Sequence, residues 1–291
     1  MTVSLRPWRS ALYVPAARGR AIDKARTLPA DALILDLEDA VAPDEKAAAR
    51  ATLAEALSAG GFGARAVLVR INALGTPWGE DDLAALIPLH PAAIVLPKVN
   101  GAAEVAALAR RLDARSETAG TRIWAMIETP RAALCADEIA AAPRMQGLVM
   151  GTNDLAKDLG ARARPDRLPL MPALGACLLA ARAHGLVALD GVYNAFRDPE
   201  GLAAECAQGR DLGFDGKTAV HPDQLAAANA AFAPTEAEIA LARRQIEAFA
   251  EAEAAGRGIA VLDGRIVENL HAAAARATLA KAEAIAKLAA A

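Results

Sequence analysis

Six apolar runs in this chain each stop on, or just before, a charged residue able to hold a divalent cation or an organic acid. Ala32–Leu37 runs into Glu38, Val67–Val69 into Arg70, and Ile94–Pro97 into Lys98. Ile123–Ile127 runs into Glu128, Leu148–Gly151 leads to Asp154, and Val187–Leu189 runs into Asp190. Glu128 and Asp154 come from successive runs. Two neighbouring carboxylates repel and raise each other's pKa unless a cation lies between them. Mg²⁺ suits that setting, because it takes oxygen ligands and needs only one or two carboxylates plus waters and substrate. No His or Cys stands at these tips, which disfavours Zn²⁺. The alternative is that one of the two acids is an ordinary surface charge or salt-bridge partner.

Asp36 and Glu38 share one side of an extended run, since side chains alternate. A buried Asp36 needs a cationic partner, and Arg70 or Lys98 could supply it. Arg70 can clamp a carboxylate with two parallel bonds, or pair structurally with Glu38. Gly151-Thr152-Asn153 offers backbone N–H groups close to Asp154. Lys217 and His221 fall on or just after a later run. His221 precedes Pro222 at a helix start, so capping is its expected role. Ser10 has no evident His/Asp partner, and Lys98 and Asp190 have no evident task.

Tips of this kind need a scaffold that makes them converge. Strand-like runs alternate with helical periodicity eight times up to Ala231. The default arrangement is right-handed and parallel, and eight units close as a (β/α)8 TIM barrel, an α/β fold whose chemistry sits at the strand C-termini. A doubly wound open sheet is the alternative. Pro97 should lie where strand pairing ends. A Pro- and Arg-rich insert, Arg162–Pro172, interrupts the rhythm. The barrel is expected over residues 1–233 and a helix-hairpin-helix appendage over 234–291, serving as a lid or an oligomer contact. Thr235-Glu236-Ala237-Glu238 reads as a capping box, and Asp263-Gly264 as a hairpin turn.

The 291 residues, 54% of them hydrophobic, suffice for one large domain. A net charge of -3 and 3% aromatic residues give no sign of a nucleic-acid partner. No apolar stretch reaches membrane-spanning length. Cys135, Cys177 and Cys206 are widely spaced and odd in number, which suits a reducing, cytoplasmic setting. No secretory leader is apparent.

Seven segments then occur in a telling order: Arg9-Ser10-Ala11-Leu12-Tyr13-Val14-Pro15, Leu35-Asp36-Leu37-Glu38-Asp39-Ala40-Val41, Val69-Arg70-Ile71-Asn72, Leu96-Pro97-Lys98-Val99, Ile127-Glu128-Thr129-Pro130, Gly151-Thr152-Asn153-Asp154-Leu155 and Val220-His221-Pro222. Together they resemble the citrate lyase β-subunit-like branch of the HpcH/HpaI aldolase superfamily, over nearly the whole chain. That branch includes citryl-CoA, malyl-CoA and citramalyl-CoA lyases. The resemblance implies a trimeric or hexameric TIM barrel that cleaves a 3-hydroxyacyl-CoA thioester into acetyl-CoA, or a relative of it, and a 2-oxo acid such as oxaloacetate. It implies Mg²⁺ on Glu128 and Asp154, with Arg70 on the oxo acid. Glu38, supported by Asp36, would orient water or Arg70. Gly151, Thr152 and Asn153 would meet the acid, and Arg9, Arg18 and Lys24 the CoA phosphates.

In such lyases an aspartate from the C-terminal appendage transfers a proton at a neighbouring subunit's site. The matching stretch here, Arg265-Ile266-Val267-Glu268-Asn269-Leu270, carries Glu268 instead. Rival readings are a free-acid aldolase of the HpaI type, a CoA-thioester hydrolase on the same scaffold, and a citrate lyase subunit that recognises an acyl carrier protein.

Overall fold

The computed structural model describes residues 6–290. Eight parallel strands close into a barrel in the order β1 to β8. They are β1 (Ser10–Pro15), β2 (Ala32–Asp36), β3 (Ala66–Arg70), β4 (Ala93–Leu96), β5 (Arg122–Ile127), β6 (Met145–Met150), β7 (Val187–Asp190) and β8 (Gly216–Ala219). The helices are α1 (Gly19–Ala25), α2 (Lys46–Ala59), α3 (Gly79–Leu86), α4 (Ala102–Asp113), α5 (Pro130–Leu134), α6 (Ala136–Ala140), α7 (Thr152–Asp158), α8 (Met171–Ala183), α9 (Pro199–Leu212), α10 (Leu225–Phe232), α11 (Glu236–Ala254) and α12 (Asn269–Ala290). The expected α/β barrel is thus the fold, and the open-sheet alternative is excluded.

Two apolar layers follow from the strand alternation. Ile34, Leu68, Val95, Trp124, Met126, Val149 and Leu189 fill the barrel interior. Their neighbours, among them Leu33, Leu35, Ile94, Ile123 and Leu148, pack outward against the helices. Burial on both faces explains why these strands read as continuous apolar runs. Trp8 and Trp124 close the interior with ring centroids 4.8 Å apart. Gly147 stands beside Trp124, and a Cβ there would strike the indole ring.

β4 ends at Leu96, so Pro97 does fall where pairing stops. After β5 the chain forms two short helices, α5 and α6, that break at Cys135 (φ -107, ψ 16). The 162–172 insert contains a tight 3₁₀ turn, Leu168–Leu170, that leads directly into α8.

The chain divides into two compact units, one spanning Trp8–Phe232 and the other including Ala233–Ala291. The second has a small core of Phe249, Ala252, Ala260, Val267 and Ala272. Thr235 caps α11 in the expected box, with Thr235 N–H on Glu238 at 2.7 Å and Glu238 N–H on Thr235 at 3.2 Å. Two short strands, β9 (Ala260–Leu262) and β10 (Arg265–Val267), pair antiparallel. Asp263 and Gly264 join them with φ of 50° and 74°, the paired positive values of a two-residue hairpin turn.

Candidate active site

A cavity of about 440 Å³ opens at the C-terminal ends of the barrel strands. Tyr13, Asp36, Arg70, Met126, Glu128, the segment 150–154 and Val192 are among its lining residues. Side-chain parity decides which tip residues reach it. Asp36 follows Ile34, Arg70 follows Leu68, and Glu128 follows Met126, all on the inward face.

Arg70 is the fixed point of the site. Its Nε and Nη2 donate to Asp36 Oδ1 and Oδ2 at 2.7 and 2.6 Å. The two residues are directly paired in the β2–β3 register. Asp36 also accepts the backbone N–H groups of Glu38 at 2.9 Å and Ala40 at 3.1 Å. Its oxygens are therefore committed, and at 1% exposure it positions Arg70 and the 38–40 turn. Arg70 is thus the cationic partner that the buried Asp36 needs.

Arg70 Nη1 points to Glu38 Oε2 at 2.9 Å, and the guanidinium lies 4.8 Å from the Tyr13 ring. Burial opposes the Arg70 charge, but the Asp36 bonds and the nearby acids more than offset it and raise its pKa. Burial is also the main cause that pushes the Glu38 carboxyl up to about 7, against the pull of Arg70. Glu38 Oε2 forms an ion pair with Arg70 but has no aligned hydrogen bond.

Glu128 is 1% exposed, and burial raises its pKa too, against Lys98. Its position depends on Gly151 across the β5–β6 edge, where a Cβ would strike the Glu128 side chain. Asp154 stands in the first turn of α7, and its carboxylate contacts the Lys98 ammonium. The same ammonium is 3.8 Å from Glu128 and from Glu38. The acids thus surround one positive centre, and the glycine cradle leaves Glu128 room beside it. This donor set fits Mg²⁺, which needs only one or two carboxylates. Among the described residues no group of three or more His, Cys, Asp or Glu forms a self-sufficient metal cage.

Other expected residues fall elsewhere. Asp190 has the opposite parity to its inward neighbour Leu189. It is fully buried, held by Arg167 at 2.7 and 2.8 Å and by Lys217 at 3.2 Å. It belongs to a buried charge cluster with Glu205 of α9 and not to the mouth. Arg9 precedes β1 at the opposite end of the barrel and binds Asp31 through its backbone N–H, Nε and Nη2 at 2.7 to 2.9 Å. It is a structural clamp, which overturns its assignment to CoA.

Lys24 is exposed in the last turn of α1, away from the tips. Arg18 stands at the start of that helix, on the rim and exposed. Gly151, Thr152 and Asn153 all line the cavity. The Gly151 N–H, however, is already bonded to Ile127 O at 3.0 Å, and the Asn153 amide pairs with Asn194. His221 caps a turn as expected, accepting from Asp223 N–H at 3.3 Å. Glu268 belongs to the second unit, where its backbone N–H donates to His271 at 3.0 Å.

Sequence reasoning missed Tyr13 and Lys46. Tyr13 is an inward residue near the tip of β1, a parity signal present in Ala11-Leu12-Tyr13. Lys46 is buried and donates to Leu37 O, Glu38 O and Asn72 Oδ1 at 2.7 to 2.8 Å, which fixes the turn carrying Glu38. A lysine near a helix start carries no sequence signal for that role.

The profile of the family described as HpcH/HpaI aldolase/citrate lyase matches residues 9–222. A (3S)-malyl-CoA thioesterase of Cereibacter sphaeroides is 58% identical over 280 residues, 96% of each chain. Citrate lyase subunit beta of Escherichia coli is 34% identical, covering 94% of this chain and 93% of that one. The solved structure of protein CitE from Mycobacterium tuberculosis with magnesium, acetoacetate and coenzyme A superimposes with a TM-score of 0.79 at 33% identity. It covers 96% of this chain and 99% of that one. The profile match over residues 9–222 and these near full-length relatives show that this chain belongs to the HpcH/HpaI aldolase/citrate lyase family.

Proposed function

We propose that this chain is a Mg²⁺-dependent enzyme acting on the CoA thioester of a short 3-hydroxy acid of the malyl type, and that it hydrolyses the thioester. The observation that carries the reading is the pair Glu128 and Asp154, gathered around one cationic position beside a rigid arginine. A hydroxy acid offers a carboxylate and a hydroxyl to such a site. Hydrolysis is favoured over carbon–carbon cleavage by the 58% identity to a thioesterase over nearly the full length.

Glu128 and Asp154 would hold the metal, which when bound supplies Lewis-acid charge and a template for the substrate oxygens. Arg70 contributes preorganised positive charge next to it. Its guanidinium is fixed by Asp36 before substrate arrives, so little reorganisation is needed. Glu38, with its carboxyl near neutrality, is matched to accept a proton from water. The water oxygen bonds the thioester carbon, the C–S bond breaks, and the proton returns to the leaving thiolate. Products are the free hydroxy acid and coenzyme A. Arg18, exposed on the rim, is the cation left for the CoA phosphates, Lys24 lying away from the tips, and we assign Glu268 to proton transfer.

A second reading, carbon–carbon lyase, is favoured by the relatives named citrate lyase subunit beta. There the hydroxyl proton passes to a base, the C2–C3 bond breaks, and the acetyl-CoA carbon takes a proton. Incubation with Mg²⁺ and (3S)-malyl-CoA separates the two. Free thiol with malate is the expected result. Acetyl-CoA and glyoxylate without free thiol would replace hydrolysis by the lyase reading, and no turnover would refute both.

A further inference from the structure

Lys98 directly follows Pro97 at the end of β4 with φ of 53°, a left-handed backbone that residues bearing side chains adopt at a cost. That turn sends both of its donors to one place. The backbone N–H donates to Glu128 Oε1 at 2.5 Å. The ammonium contacts Asp154 and lies 3.8 Å from Glu128 and from Glu38. One residue therefore bridges both carboxylates assigned to the metal, by main chain to one and side chain to the other.

We propose that Lys98 is the internal cation of this site, neutralising it in the metal-free protein and giving way when Mg²⁺ binds. The inference rests on the metal reading above, not on which bond is broken. The argument is one of exclusion and reach. Mg²⁺ needs oxygens at about 2.1 Å, and the position from which it would reach both Glu128 and Asp154 lies where the ammonium sits among the three acids, so the two cations compete for it. Arg70 cannot take the ammonium's place, because Asp36 holds it. The Lys98 side chain is 37% exposed and flexible, so it can swing towards solvent without backbone movement. The N–H bond to Glu128 persists throughout and keeps that carboxylate in place.

Two consequences follow. Unpairing Lys98 from its acids is subtracted from the Mg²⁺ affinity of the free protein. A substrate carboxylate entering with the metal gives the released ammonium a new partner, so metal and substrate bind synergistically.

The test is calorimetric titration of Mg²⁺ alone into the wild type and Lys98→Met, with thermal melts of both metal-free proteins. Lys98→Met should bind Mg²⁺ at least fivefold more tightly and melt at a lower temperature without metal. Equal or weaker Mg²⁺ binding by the variant overturns the proposal. Binding by neither protein overturns the metal reading as well, a distinguishable result. A measurement on the wild type alone guards against a variant that fails to fold. Amine-reactive labelling of Lys98, read by peptide mass spectrometry, should accelerate when Mg²⁺ is added. Unchanged or slower labelling contradicts displacement.

Discussion

Asp36 grips Arg70 from the adjacent strand through two bonds of 2.7 and 2.6 Å, and both side chains are buried. Removing one partner of a buried pair leaves an uncompensated charge. Asp36→Asn should therefore lower stability by roughly 3 kcal/mol, measured as a shift in the urea midpoint. Arg70→Lys keeps the charge but loses the fork that Asp36 matches. It should cut kcat/KM on malyl-CoA by about 10²-fold in steady-state assays.

Gly147 in β6 and Gly151 directly after it have separable roles. A Cβ at Gly151 would strike Glu128, and one at Gly147 would strike Trp124. Gly151→Ala should weaken Mg²⁺ binding at least tenfold in calorimetry by shifting a ligand. Gly147→Ala overpacks the interior and should cost about 2 kcal/mol of stability. Its metal affinity should stay near wild type.

The Glu38 carboxyl is raised from 4.5 to about 7 by burial. The folded state thus holds that proton more tightly than the unfolded chain. The associated stabilisation is full below pH 4.5 and is lost as pH rises through about 7. The loss is at most roughly 3 kcal/mol for a shift of this size. Metal-free Glu38→Gln lacks this slope. Its thermal stability relative to wild type should rise between pH 5 and pH 8, and a constant difference would contradict the assignment.

Much of this site was legible in the chain because strand alternation is a strict rule. Ile34-Leu35-Asp36 and Met126-Ile127-Glu128 already place their acids on the interior face. Asp190 was misplaced because its run is short and apolar on both faces, so nothing local distinguishes an inward tip from one facing α9. Arg9 was misplaced because a cation next to a strand start looks the same whether or not Asp31, 22 residues away, clamps it. Lys98 stood at a tip without a role, since its contacts come from Glu38, Glu128 and Asp154, three separate segments. The family resemblance, by contrast, rested on short ordered motifs, and those lie in strand tips that the barrel brings together.

Glu268 tests the departure from the aspartate of related lyases. If it transfers a proton, Glu268→Gln should lower kcat by about 10²-fold with Mg²⁺ affinity unchanged. Unchanged kcat would remove it from the chemistry.

The central claim is that the acids around Lys98 form a metal site that turns over a CoA thioester. The most direct measurement follows (3S)-malyl-CoA consumption against Mg²⁺ concentration for the wild type and Asp154→Asn. The account predicts saturable Mg²⁺-dependent turnover in the wild type and its loss in a folded Asp154→Asn variant. Wild-type turnover by Asp154→Asn, or turnover indifferent to Mg²⁺ and chelator, would contradict it.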